Sequence, residues 1–168
     1  MTYPSLETER VFLRILNLTH TEEIYKHFSD ENVTKYMDIE PCKDLNEAEE
    51  LIKYHQDDAG CRWGMFDKET NRLIGTCGFH YIRDTENGKI AEIGYDLAHS
   101  HWGKGLMSEV LEKMIEFGFN EKCFYMIDAT VEPRNERSLN VLNRLGFSRN
   151  RELKDNLVYF YKQRAYFN

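Results

Sequence analysis

The feature that most narrows the fold is a three-part run. A strand-like stretch spans Ile90 to Leu97, followed by the loop His101-Trp102-Gly103-Lys104-Gly105-Leu106-Met107 and a helix-like stretch from about Gly105 to Phe119. In that helix Val110, Leu111, Met114, Ile115 and Gly118 form an inward stripe. Glycines let the backbone turn tightly and approach a ligand with no Cβ in the way. Free N–H groups at a helix start, together with the helix dipole, attract an anion, and Lys104 adds a positive charge nearby. The pattern is not G-x-x-x-x-G-K-[ST]. Nor is it G-x-G-x-x-G, because Ser108 stands three residues after Gly105. Read alone, the same composition suits an ordinary tight connection.

The remaining chain supplies strands and helices around this run. Glu9 to Leu16 reads as a first strand. Thr19 or Thr21 can cap a helix to about Ser29, with Ile24, Tyr25 and Phe28 on one face. Asp44 and Glu47 have capping-box spacing before a helix to about Gln56. Arg62 to Phe66 and Leu73 to Ile82 read as strands, and Asn87-Gly88 marks a hairpin turn before Ile90. Phe124 to Val131 is a further strand. Asn135 to Leu145 is an amphipathic helix stopped by Gly146, and Leu157 to Ala165 is a last strand. The order β-α-α-β-β-β-α-β-α-β predicts an α+β fold, with a mixed sheet and one core over residues 1–168.

Composition excludes some classes. The 168 residues are 41% hydrophobic and 30% charged, which is globular rather than disordered. The formal net charge of −7 argues against a nucleic-acid partner and suits a cationic substrate, or simply solubility. No apolar run approaches the ~20 residues of a membrane span, and Met1 to Arg14 lacks the apolar core of a secretory signal. Cys42, Cys61, Cys77 and Cys123 lie far apart, so neither a metal site nor a disulfide framework is expected, and a cytoplasmic setting fits.

Four segments, in order, carry a resemblance that spans almost the whole chain. They are Leu6-Glu7-Thr8-Glu9-Arg10-Val11-Phe12-Leu13-Arg14, Ala91-Glu92-Ile93-Gly94-Tyr95-Asp96-Leu97, Trp102-Gly103-Lys104-Gly105, and Asn135-Glu136-Arg137-Ser138 running into Leu142-Asn143-Arg144-Leu145-Gly146-Phe147. The chain resembles the GNAT superfamily of N-acetyltransferases, and within it the branch of ribosomal-protein alanine N-acetyltransferases. The resemblance implies a mostly antiparallel central sheet flanked by helices, with two central strands splayed apart. It implies acetyl-CoA as cosubstrate, no metal, and an amine acceptor such as a ribosomal-protein N-terminus or a small cationic amine. The protein would be a monomer or a homodimer.

It also implies site residues. Backbone groups of Asp96 and Leu97 would pair with the pantetheine arm, and the stretch from His101 through Trp102, Gly103, Lys104, Gly105, Leu106 and Met107 would hold the pyrophosphate. Ser100 stands where the superfamily often has Gln or Arg. Glu92 matches a known base. Strand alternation puts it with Gly94 and Asp96 on one face, opposite Ala91, Ile93, Tyr95 and Leu97, although a salt-bridged strand Glu is the plain alternative. Ser138 would contact the cofactor sulfur or donate a proton to it, and Asn135 would cap its helix or bind a pantetheine amide. His80 could face the substrate, while Tyr36, Met37 and Trp63 could line an acceptor pocket. Two readings compete with catalysis: an idle acyl-CoA-binding domain of the same fold, and an unrelated phosphate- or nucleotide-binding protein.

Overall fold

The computed structural model describes residues 3–165; Met1 and Thr2, part of the N-terminal stretch read above, and residues 166–168 lie outside them. In chain order the strands are β1 (Leu6–Glu7), β2 (Val11–Ile15), β3 (Cys61–Asp67), β4 (Leu73–Thr85), β5 (Gly88–Leu97), β6 (Met126–Val131), β7 (Ser148–Arg149) and β8 (Val158–Gln163). The helices are α1 (Thr21–Phe28), α2 (Glu31–Thr34), α3 (Leu45–Asp57), α4 (Leu106–Asn120) and α5 (Glu136–Arg144). The strands form one sheet in the order β1-β2-β3-β4-β5-β6-β8-β7. Every pairing is antiparallel except β5 with β6. This is the expected α+β architecture, a mostly antiparallel sheet flanked by helices.

Strand alternation divides the protein into two layers. On one face Trp63, Cys77, Phe79, Ala91, Ile93 and Ile127 pack beneath α4 and α5 in the main apolar core. On the other face α1 to α3 gather a smaller core around Ile24, Phe28, Ala48 and Ile52.

Helix starts follow capping chemistry with two changes from expectation. Asp44 accepts from the Glu47 N–H at 2.8 Å, but the Glu47 carboxylate reaches back to the Lys43 N–H at 2.7 Å, one residue beyond the usual box. Ahead of α1, neither Thr19 nor Thr21 caps. Asn17 caps a short 3-10 turn over Leu18–His20, and α1 grows directly out of that turn. The two-residue strands β1 and β7 and the four-residue α2 escape sequence reading because they are too short to show a period.

Two irregularities open the site. In β4 the register shifts between His80 and Arg83, so Tyr81 and Ile82 together oppose Ala91. Tyr81 sits there at φ +46°. And β5 pairs with β6 only over Ile90–Glu92 and Met126–Asp128. Beyond Glu92 the two strands part, although both continue.

Candidate active site

The parting strands open a cleft of about 700 Å³. One end is walled by the loop and first turn of α4: Trp102, Gly103, Gly105, Leu106, Met107 and Ser108. The other end reaches the α1–α3 face, where Tyr36, Met37, Asp38, Arg62, His80 and Glu92 line it. Ser138, Asn135 and Arg137 enter from α5.

The loop has the shape of an anion cradle. Gly103 and Gly105 both sit at φ +75°, a conformation that glycine adopts without strain. Gly105 is the N-cap of α4 and provides no side-chain acceptor, so the first-turn N–H groups have no capping oxygen. The N-terminal segment holds this turn in place. Thr8 donates to Glu109 at 2.5 Å, Arg10 pairs with Glu109 at 2.8 Å, and the Arg10 Nη1 donates to the Lys104 carbonyl at 3.0 Å. Lys104 itself is exposed, and its side chain is not part of the cleft wall. His101 lines the cleft while bonded to Ser100 at 2.9 Å and to Asp67 at 3.3 Å. Arg137 stacks on Trp102, its guanidinium carbon 3.0 Å from the ring centroid, and burial pushes its pKa down.

Leu97 and Asp96 behave differently from each other. The Ala98 N–H bonds the Ile74 carbonyl, so antiparallel alternation turns the peptide groups of Leu97 and Tyr95 toward the cleft and those of Asp96 toward β4. The Leu97 carbonyl already accepts from the Trp102 indole at 2.8 Å. Asp96 is instead the hub of a buried network. It accepts from His27 at 2.5 Å, from the Thr76 amide at 2.9 Å and hydroxyl at 2.6 Å, and from Arg62 Nη2 at 3.0 Å. Burial alone would raise its pKa, but His27, Arg62 and Thr76 outweigh burial and hold it down at about 2. The expected pairing of an Asp96 backbone group with a ligand in the gap therefore has the wrong direction.

Glu92 and Gly94 share the face of Asp96, as alternation predicts. Glu92 Oε1 lies 3.1 Å from His80 Nε2. The β4 bulge brings His80 opposite Glu92. Gly94 has a steric reason. A Cβ there would lie 2.7 Å from both Arg62 Nη1 and His80 Cε1. On the opposite face, Tyr95 and Ser138 are hydrogen-bonded to each other through their hydroxyls. Burial pushes the Tyr95 phenol up to about 12, so it stays protonated at neutral pH. Asn135 caps α5, accepting from the Ser138 N–H at 3.4 Å.

Trp63 is a correction. It is fully buried in the apolar core, its indole N–H bonded to the Pro4 carbonyl at 2.9 Å, and it lines no acceptor pocket. It neighbours Arg62 in a strand, so it must point to the other face. Sequence reasoning missed Arg62, Tyr95, Ser108 and Arg137. For Arg62 and Tyr95 the alternation of their strands was the available signal. Burial raises the Cys61 thiol to about 12 and pushes the Cys77 thiol up as well, so neither is a ready nucleophile. Among the described residues no group of His, Cys, Asp and Glu could hold a metal ion, and no helix is long and apolar enough to cross a membrane.

Known proteins share this chain's sequence pattern and its fold. Residues 10–148 match the acetyltransferase (GNAT) domain family model. The chain is 43% identical over 155 residues, 90% of its length and 86% of the relative's, to p20, an uncharacterized N-acetyltransferase of Bacillus licheniformis. It is 30% identical over 109 residues, 64% of its length and 55% of the relative's, to the ribosomal protein uS5-alanine N-acetyltransferase of Escherichia coli. Its fold superposes with a TM-score of 0.80 on spermidine N-acetyltransferase from Vibrio cholerae, solved with CoA and spermine, at 22% identity and covering 92% of this chain and 96% of that one. The chain belongs to the GNAT family of acetyltransferases, and it is an N-acetyltransferase of that family.

Proposed function

We propose that the protein transfers an acetyl group from acetyl-CoA to a primary amine by direct attack in a ternary complex. The observation that carries this reading is the early end of β5–β6 pairing, at Glu92 and Asp128. It leaves a cleft with an uncapped helix start at one end and a carboxylate at the other.

The residues present fit acetyl-CoA. The backbone from His101 to Met107 holds the pyrophosphate, and Arg137 provides the positive charge that Ser100 does not. The pantetheine arm lies along β5, with peptide groups of Tyr95 and Leu97 turned toward it; at Leu97 it displaces the Trp102 indole or bonds beside it. Glu92, steadied by His80, accepts the proton that the acceptor ammonium must lose before it attacks, directly or through water. The amine nitrogen then bonds to the thioester carbon and sheds its second proton, and the carbon–sulfur bond breaks, the departing thiolate taking up a proton to leave as the free CoA thiol. A β5 N–H holds the oxyanion. Ser138, bonded to Tyr95, directs its hydroxyl at the departing sulfur. No covalent enzyme intermediate is required.

The test is release of free CoA thiol from acetyl-CoA across a panel of primary amines and peptides. Amine-dependent release is expected. Saturable CoA binding with no release above the amine-free background would leave an idle acyl-CoA-binding domain and overturn the proposal.

A further inference from the structure

Asp128 is 1% exposed, and only one oxygen of its carboxylate is matched. Its Oδ2 accepts from Arg83 Nη2 and, at 2.7 Å, from the Tyr159 hydroxyl. Its Oδ1 is sealed from solvent and has no hydrogen-bond partner among the described residues. A buried acceptor left without a donor is costly. The strand register shows where a donor can come from. His80, Glu92, Asp128 and Tyr161 pair in turn across β4, β5, β6 and β8, so they form one row on one face of the sheet. Glu92 and Asp128 are the last pair before β5 and β6 part. Adjacent strands lie about 4.8 Å apart, which brings two carboxyl groups at paired positions within reach of each other.

Two carboxylates side by side repel when both are charged, and one proton between them turns the repulsion into a hydrogen bond. The neighbours leave that donor's place to Glu92. Arg83 and Tyr159 are committed to Oδ2, and Tyr161 stacks on Tyr159. His80 engages Glu92 Oε1 at 3.1 Å, which leaves Oε2 for a proton. Asp128 itself does not line the cleft, so it reaches the reaction only through Glu92. We propose that Asp128 is a positioning residue that receives Glu92 in its protonated form: once Glu92 has taken the acceptor's proton, its new O–H donates to Asp128 Oδ1. The proton leaves the ammonium nitrogen, whose electron pair stays behind for the attack, and passes to solvent after the product departs. The hydrogen bond exists only after the proton has moved, so it favours that step and not the binding of substrate. This inference rests on Glu92 as the base of the proposed acetyl transfer.

The experiment is a double-mutant cycle on kcat, read by thiol release at saturating acetyl-CoA and amine. It compares wild type, Asp128→Asn, Glu92→Gln and the double variant. Asparagine keeps the shape of Asp128 and an oxygen for Arg83 and Tyr159, but its amide cannot accept the Glu92 O–H. Asp128→Asn should lower kcat about tenfold, the worth of one hydrogen bond to a charged group, with KM for the amine and affinity for CoA unchanged. In the Glu92→Gln background the same substitution should cost nothing further, because no carboxyl proton is there to be received. A merely structural role would lower kcat by the same factor in both backgrounds, and that result overturns the inference. So does an Asp128→Asn enzyme with wild-type kcat, or one whose loss lies in KM. Should Asp128→Asn fail to fold, Tyr159→Phe, which removes one of the bonds aiming the carboxylate, should lower kcat about threefold in wild type and not at all in Glu92→Gln. Equal loss in both backgrounds, or loss in neither, overturns the inference likewise. Full activity of Glu92→Gln would remove the base, and this inference with it, while leaving acetyl transfer standing. Failure of every amine to release thiol would instead overturn the acetyl transfer itself.

Discussion

The two faces of β5 solve opposite problems. On the α4–α5 face, Ala91 and Ile93 join Phe79, Phe124 and Trp63 in a packed apolar layer, where burial of hydrocarbon does the stabilising. On the α1–α3 face the same strand sets Glu92, Gly94 and Asp96 beside Arg62, Thr76, His27 and His80. There, stability depends on a closed set of charge-assisted bonds, and one side chain too many at Gly94 would break it. The contrast teaches where chemistry can be placed. The apolar face holds the strand rigid, so the polar face can keep ionised groups in fixed positions beside a cleft.

The comparison is broken most severely by removing one pillar from each face. Phe79→Ala should cost roughly 3–5 kcal/mol by leaving a cavity, and Asp96→Asn a similar ~3–5 kcal/mol by leaving Arg62 uncompensated. Denaturant unfolding at neutral pH checks both sizes, and pH tells them apart. The Asp96 pKa is depressed in the folded protein to about 2 from an ordinary 3.8. Its contribution is therefore present in full above 3.8 and is lost as pH falls through 2. Wild type and Phe79→Ala should both lose stability across that window, and Asp96→Asn should lose less.

Glu92→Gln is expected to lower kcat by about two to three orders of magnitude while leaving CoA affinity unchanged, as measured by steady-state kinetics and calorimetry. The deficit should narrow as pH rises, because more of the acceptor amine is already deprotonated. A pH-independent deficit would assign Glu92 to structure. Ser138→Ala tests the polar exception on the apolar face. It should reduce kcat by about tenfold, a smaller effect than a well-matched general acid gives, because serine is a weak acid. Full activity would remove Ser138 from the mechanism. The smallest expected effect is at His55 on α3. Burial, with Arg62 and His80 nearby, lowers its pKa to about 4 from 6.5. The unfolded chain therefore takes up that proton first, and stability falls as pH drops from 6.5 toward 4. His55→Gln should flatten this part of the stability curve, as followed by melting temperature.

Much of this architecture was legible. The stripe of Val110, Leu111, Met114 and Ile115 marks α4, and simple alternation separates Glu92 from Tyr95. The less legible parts depend on contacts distant in sequence or on local irregularity. Nothing near Arg62 announces that its partner is Asp96, or that Thr8 and Arg10 will hold Glu109. The bulge at Tyr81 has no glycine to betray it, yet it decides that His80 meets Glu92. Trp63 was misassigned because an aromatic residue suits a pocket wall and a core equally well, and only its parity with Arg62 decides between them.

The splay of β5 from β6 has one more consequence. It gives the sheet a pair of edges in its interior, and unpaired strand edges invite other chains to add on and aggregate. Here the danger is contained by depth. The edges lie inside a cleft walled by α5 and the loop at Trp102, and the indole already occupies the Leu97 carbonyl. A guest there must be narrow and flexible, and it must arrive end-on between the two strands, so the recess that admits a slender ligand turns away a second sheet.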